Sequence, residues 1–201
     1  MRDAAKLVAH ALATVLVAPM IVSFYVRSQI LGPDRALQGS TQALALVPGL
    51  VGQYLRRAFL ARTVRCDRTA TIEFGAIFSH PGARIGEHVY IGPRCAIGLV
   101  ELERDVLLGA GVQILSGAHT HASDDPSRPI RDQPLQRTLV RVGRGAWIGA
   151  GAIIMADVGA GSIVGAGAVV TTPIPEHVVA AGVPARVVRN RREDGTRPAA
   201  P

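Results

Sequence analysis

Aromatic side chains are scarce: one Trp, three Tyr and four Phe make up 4% of a 201-residue chain that is 48% hydrophobic. Large rings supply much of the buried area in ordinary globular cores. Their shortage disfavours a thick core, and the abundance of Ile, Val, Leu and Ala, punctuated by 22 glycines, points to thin repeated layers. Cysteine is nearly absent as well. Cys66 and Cys95 have neither metal-ligand spacing nor a disulfide framework, which leaves free thiols in a reducing compartment. Acid is outnumbered, with 15 Asp and Glu against 22 Lys and Arg, a formal charge of +7. Almost all of the bases are arginine. They cluster at Arg56, Arg57, Arg62, Arg65 and Arg68, and again at Arg186, Arg189, Arg191 and Arg192. No aromatic or groove-reading features accompany them, so nucleic acid is disfavoured as a partner. A membrane surface or a phosphorylated ligand remains.

The chain divides into an N-terminal helical region over 1–68, a β-domain over 69–190 and a disordered tail over 191–201. Leu7 to Val26 is apolar for twenty residues, broken only by His10, Thr14, Pro19 and Ser23. That length just crosses a bilayer as a helix. The segment reads as a membrane span or anchor, with a buried helix as the alternative. A secretory signal is disfavoured because the apolar run is long for one. Arginines at 27, 35, 56, 57 and 62 place the chain beyond the apolar run on the cytoplasmic side of a membrane. A second helix is expected over Ala36–Val47, ended by Pro48-Gly49. A third, amphipathic one carries Leu55, Ala58 and Phe59 on one face, either as a foot on an anionic surface or as a cap on the β-domain.

Beyond residue 69 aliphatic-Gly pairs recur six apart: Ile85-Gly86, Ile91-Gly92 and Ile97-Gly98, then Leu108-Gly109, and later Val142-Gly143, Ile148-Gly149 and Val164-Gly165. Small or β-branched residues sit two positions earlier at Ala83, Val89, Cys95, Val106, Val112, Ala146, Ala152, Ser162 and Ala168. A period of two inside a period of six means short strands with both residues inward and a glycine-bearing corner between them. Three such units close a triangular coil, and about four to five stacked coils bury an aliphatic column. The period breaks at Ser116–Thr138, a loop long enough to be functional. The turn at Ala156-Asp157-Val158 is shortened, and the sequence offers no reason for it.

This repeat resembles the bacterial hexapeptide-repeat transferases, whose parallel β-helices are left-handed, and within them the maltose, galactoside and capsule or colanic-acid O-acetyltransferases. The likeness is carried by Gly111–His119, Ala146–Ala152, Val164–Thr171 and the closing Ala181–Arg189. It implies an acetyl-CoA-dependent O-acyltransferase acting on a sugar or glycan acceptor, without a metal, as a homotrimer with active sites at subunit interfaces. His119 ends the first stretch and is implied as the base: an imidazole poised near neutrality removes the acceptor's proton as its oxygen attacks the thioester. Trp147 is implied beside the donor groove, with Gly149, Ala150 and Ala166 lining it and Thr171 and Arg189 contacting coenzyme A. Small residues there are read as making room for the pantetheine arm.

The loop's His121 and Asp124 are read as acceptor contacts, and Asp124 or Asp125 as the group that orients the imidazole. The Asn that many of these enzymes carry on the preceding turn is missing from His88–Gly92, so Tyr90 or His88 is expected in its place. Thr172 stands where the family has Lys, which removes a phosphate contact. A zinc carbonic anhydrase needs three histidines around one metal, and the spacing after His121 does not provide them. The same β-helix could also serve as a non-catalytic trimeric scaffold, or as an N-acyltransferase acting on an amino sugar.

Overall fold

The computed structural model describes residues 2–118 and 120–192; His119 and residues 193–201, most of the expected tail, lie outside the described residues. Three helices, α1 (Arg2–Leu31), α2 (Pro33–Ala45) and α3 (Gly49–Thr63), precede sixteen short strands. The strands wind into a parallel β-helix with three faces. The first face holds β1 (Arg65–Cys66), β4 (Arg84–Ile85), β7 (Val100–Leu102) and β10 (Val140–Val142). On the second face lie β2 (Thr71–Ile72), β5 (Tyr90–Ile91), β8 (Leu107–Leu108), β11 (Trp147–Ile148), β13 (Ile163–Val164), β15 (Val178–Ala181) and β16 (Arg186–Asn190). The third is built from β3 (Ile77–Phe78), β6 (Ala96–Ile97), β9 (Gln113–Ile114), β12 (Ile153–Ile154) and β14 (Val169–Val170).

Six coils result, counting the single bridges of Val158 and Ile174 on the first face. The sequence expectation of four to five falls short because the first coil begins at Arg65, where the Gly signal is missing, and the last is closed by the antiparallel β15–β16 pair. Every inward position named from the repeat is buried, from Ala83 and Val89 to Ser162 and Ala168. Ser162 is the polar member of that column, and its hydroxyl donates to Pro175 O (2.6 Å) while accepting from Val178 N–H (3.1 Å). The shortened turn has a side-chain explanation. Asp157 Oδ1 accepts the Arg141 N–H (2.7 Å), so a carboxylate satisfies a backbone donor that a strand would otherwise pair.

The glycine of each aliphatic-Gly pair does not make the corner turn. At Gly149 an added Cβ would lie 2.5 Å from Ala166 N and 2.7 Å from Gly165 C. Glycine is required there because the next coil's backbone passes against it. The left-handed turn falls two residues on, at Gly151 (φ 69°), and on other corners at non-glycine residues such as His88 (φ 56°) and Asp105 (φ 60°). Gly149→Ala is therefore expected to lower stability by about 1–3 kcal/mol through overpacking, read as a fall in denaturation midpoint.

An open β-helix presents an unpaired strand edge that must be covered. Here α2 and α3 cover it with specific bonds. Thr41 Oγ1 accepts the Phe78 N–H (3.2 Å), Gly75 N donates to Ala45 O (3.1 Å), and Arg57 Nη1 donates to Ala70 O (3.3 Å). Arg56 is buried. Its Nε donates to Ile72 O (3.0 Å) and its Nη1 to Leu44 O (3.1 Å) and Val47 O (2.7 Å). Of the two readings of the third helix the cap is the observed one, and Arg56 contributes no surface charge.

Helix α1 packs on both of its partners along one stripe: Ala13, Val17 and Phe24 are buried, and Phe24 meets Phe59 edge to face at 5.9 Å. Tyr25 Oη donates to Arg62 O (2.7 Å) and Arg27 Nη2 to Ser40 Oγ (2.7 Å). The most apolar eighteen-residue stretch within Leu7–Leu31 has a mean hydropathy of 2.1, and the helix is long enough to cross a bilayer. Its outer side is apolar too, with Val8, Leu12, Val15, Leu16, Val22, Val26 and Ile30 all exposed.

Candidate active site

After β9 the chain leaves the coil at the edge between the third and first faces and returns at Thr138, whose N–H donates to Ser116 O (2.8 Å). The loop has structure of its own. Gln136 N donates to Thr120 O (2.9 Å), Ala122 N donates to Pro134 O (3.0 Å), and His121 and Leu135 form an antiparallel bridge. The buried side chain of Gln133 pins the tip, its Nε2 donating to Asp125 O (2.8 Å) and Arg128 O (3.1 Å). Asp125 is occupied by its own turn, with Oδ1 accepting from Ser127 N (2.9 Å) and Oγ (2.6 Å), bonds that hold its carboxyl below the usual carboxylate range. Its Oδ1 is therefore taken up by the turn.

The folded arm closes one side of a groove of about 560 Å³ over the third face. Thr120, His121 and Arg137 line it from the loop, and Asp34, Arg35 and Gln38 line it from the start of α2. Arg137 Nη1 meets Asp34 Oδ2 at 2.8 Å, tying loop to helix across the opening. His80, at the end of β3, accepts the Gly82 N–H at Nδ1 (2.9 Å), and its Nε2 lies 4.0 Å from Asp34 Oδ1. Thr120, the residue after His119, is thus part of a groove rich in charge and hydrogen-bonding groups.

Not every expected residue gathers there. His121 does; Asp124 is exposed on the loop outside the groove lining, because Gln133 folds the tip onto itself. Tyr90 and Trp147 project from the second face, in register through Leu107, and Trp147 is half exposed. Arg189 lies at the end of that face, paired with Val179. Gly149, Ala150 and Ala166 form the edge between second and third faces, where Gly167 N donates to Ala150 O (2.9 Å). Thr171 follows β14 at the edge from which the loop leaves, two coils farther along.

Asp34, Arg35, Gln38, His80 and Arg137 were not legible as site residues. Asp34 and Arg137 are about a hundred positions apart, and the one hint was that Ser79-His80 ends a third-face strand as Leu115-Ser116 does. The thiols stay out of the chemistry. Burial pushes Cys66 up to about 12 and Cys95 up to about 11, so neither is a nucleophile at neutral pH. Among the described residues no three His, Cys, Asp or Glu side chains gather as a metal site.

Gln133→Ala is expected to loosen the arm alone. Trypsin would cut faster at the exposed Arg131, while the melting temperature of the coil stays within about 2 °C, since the lost bonds lie outside the column.

Comparison with known proteins agrees with the repeat. A family described as the hexapeptide repeat of succinyl-transferase matches residues 82–116 and 139–172. A probable acetyltransferase of Mycobacterium tuberculosis is 34% identical over 122 residues, 58% of this chain and 40% of that protein. A putative lipopolysaccharide biosynthesis O-acetyl transferase of Escherichia coli is 30% identical, over 57% of this chain and 61% of its own length. The chain thus spans about half the length of the curated relatives it matches. Among solved structures, a galactoside acetyltransferase in complex with coenzyme A shares the fold, with a TM-score of 0.63 and 23% identity over 79% of this chain and 80% of that one. The chain therefore carries the hexapeptide repeat over residues 82–116 and 139–172, folded as stacked triangular coils, and is similar to acetyltransferases.

Proposed function

We propose that the protein transfers an acetyl group from acetyl-CoA to a hydroxyl of a sugar in an envelope or exopolysaccharide precursor. The observation that carries this reading is the groove beneath the folded loop, with Thr120 and His121, the residues after His119, on its wall beside the charged Asp34, Arg35 and Arg137. In the reaction His119 takes the acceptor's hydroxyl proton as the oxygen bonds to the thioester carbonyl carbon. The C–S bond then breaks, and the proton passes to the departing thiolate, leaving an ester and a free thiol. Asp34, Arg137 and His80 offer the acceptors and donors that a polyhydroxylated substrate needs, tied to one another across the groove.

Coenzyme A is assigned to the edge of Gly149, Ala150 and Ala166, beside Trp147 and Arg189. In one protomer that edge and the loop lie on different edges of the triangular coil. A second copy would bring its loop against the edge, which supports a homotrimer with its sites at the seams. The lipopolysaccharide role of the Escherichia coli relative and the exposed apolar side of α1 favour an envelope acceptor, with the enzyme at the cytoplasmic face of the bacterial inner membrane. The test follows thiol release from acetyl-CoA across sugars, amino sugars and serine. Turnover confined to sugar hydroxyls is expected, and turnover only with amino sugars would move the assignment to N-acylation.

A further inference from the structure

Where α1 runs past the first coil there is a cavity of about 720 Å³. Its lining includes Leu7 and His10 of α1, Tyr54 and Arg57 of α3, Arg68 of the first coil and His88 of the second. Among the described residues no ion pair within 4.0 Å includes its Arg57 or Arg68. Asp67 lies beside Arg68, but its Oδ1 already accepts from Thr69 N (2.8 Å) and Oγ1 (2.6 Å). Two polar atoms at the cavity, His10 Nδ1 and Arg57 Nε, are buried without a hydrogen-bond partner. Burial, and then the charges of Arg57, Arg68 and Arg62, depress the basicity of His10. The Arg57 guanidinium is held in place over the Tyr54 ring (4.7 Å) and by its bond to Ala70 O. A guanidinium fixed in this way, with Arg68 and His88 beside it, suits a phosphate.

The same cavity opens at Leu7 onto the outer side of α1, where Val8, Leu12, Val15 and Leu16 are exposed in succession. Cationic pocket and apolar stripe together have the two-part chemistry of an amphiphile. We propose that this cavity seats the phosphate of an anionic lipid headgroup while α1 lies along the leaflet with its outer side among the acyl chains. A helix packed along its inner stripe on α2 and α3 is arranged to lie in the surface, as interfacial helices do. This inference rests on the membrane placement proposed above and adds the group that is recognised.

The full-length protein would be sedimented with vesicles of phosphatidylcholine alone and of phosphatidylcholine with phosphatidic acid. Binding to the anionic vesicles is expected to be at least about tenfold stronger, and Arg68→Gln with His88→Asn to remove about five- to tenfold of it. Asn is chosen at His88 because it tolerates the left-handed backbone there. Leu12→Ser with Leu16→Ser is expected to weaken binding to both kinds of vesicle. A short-chain phosphatidic acid is expected to raise the melting temperature more than inorganic phosphate does. Equal binding to both vesicles, indifferent to the charge variants, would overturn the phosphate site and leave the membrane placement standing. No binding to either would sink both. Inorganic phosphate acting as strongly as the short-chain lipid would reassign the cavity to a soluble ligand. A serine variant that changes the oligomeric mass with vesicle binding intact would reassign the apolar side to a second copy of the chain.

Discussion

His119→Ala is expected to lower kcat for acetyl transfer by about 10²–10⁴-fold, the range contributed by a positioned general base. The reason is specific to the acceptor. A sugar hydroxyl is a poor nucleophile until its proton is drawn away during attack, and the neighbouring groups of the groove are not equivalent substitutes. His80 has its Nδ1 engaged by Gly82 N–H, and Asp34 is paired with Arg137. The loss should fall on turnover and spare donor affinity, because in the proposed reaction His119 handles the acceptor's proton and holds no part of the donor. Measuring kcat together with coenzyme A binding by calorimetry checks both halves. An unchanged kcat would return the protein to a non-catalytic scaffold. His121→Ala, by contrast, should mainly raise the acceptor KM, since His121 lines the groove.

Arg56→Ala should cost about 3–6 kcal/mol of stability, enough to depress the melting temperature by about 6–20 °C. This arginine gathers three carbonyls, from the first coil (Ile72) and from the end of α2 and the connection beyond it (Leu44, Val47), at a site with almost no access to water. Removing it strands those acceptors at a cost of about 1–3 kcal/mol each if water cannot reach them. Lysine would not rescue it fully, because one ammonium cannot reproduce the planar fork that spans three carbonyls. Thermal unfolding followed by circular dichroism reads the effect. A shift of less than about 2 °C would mean that the cap is not coupled to the coil. The result matters for function because α2, which Arg56 helps to seat, also supplies Asp34, Arg35 and Gln38 to the groove.

The β-helix was legible in the sequence because its code is local. Ile91 and Val89 point inward whatever lies fifty residues away, and the next coil repeats the instruction. The same holds for the position of the loop, which is where that code stops. Less was legible at the ends of the repeat, where β1 and β15–β16 are strands without the aliphatic-Gly signature. The meaning of Gly149 was hidden too: a close approach to Ala166 depends on how coils stack, which a single hexapeptide does not record.

The sequence by itself determined the coil, its inward column, the break after Ser116 and the three helices ahead of it. Only the tertiary structure decided that α2 forms a wall of the groove, that Arg56 is a buried clamp, that Asp125 serves its own turn, and that Asp34, His80 and Arg137 meet. The physical reason is the range of the interactions. Inward packing is set by the period of the backbone over a few residues. Ion pairs and capping bonds between a helix and a loop about a hundred residues apart depend on where the whole chain has travelled, and nothing in either segment alone encodes the encounter.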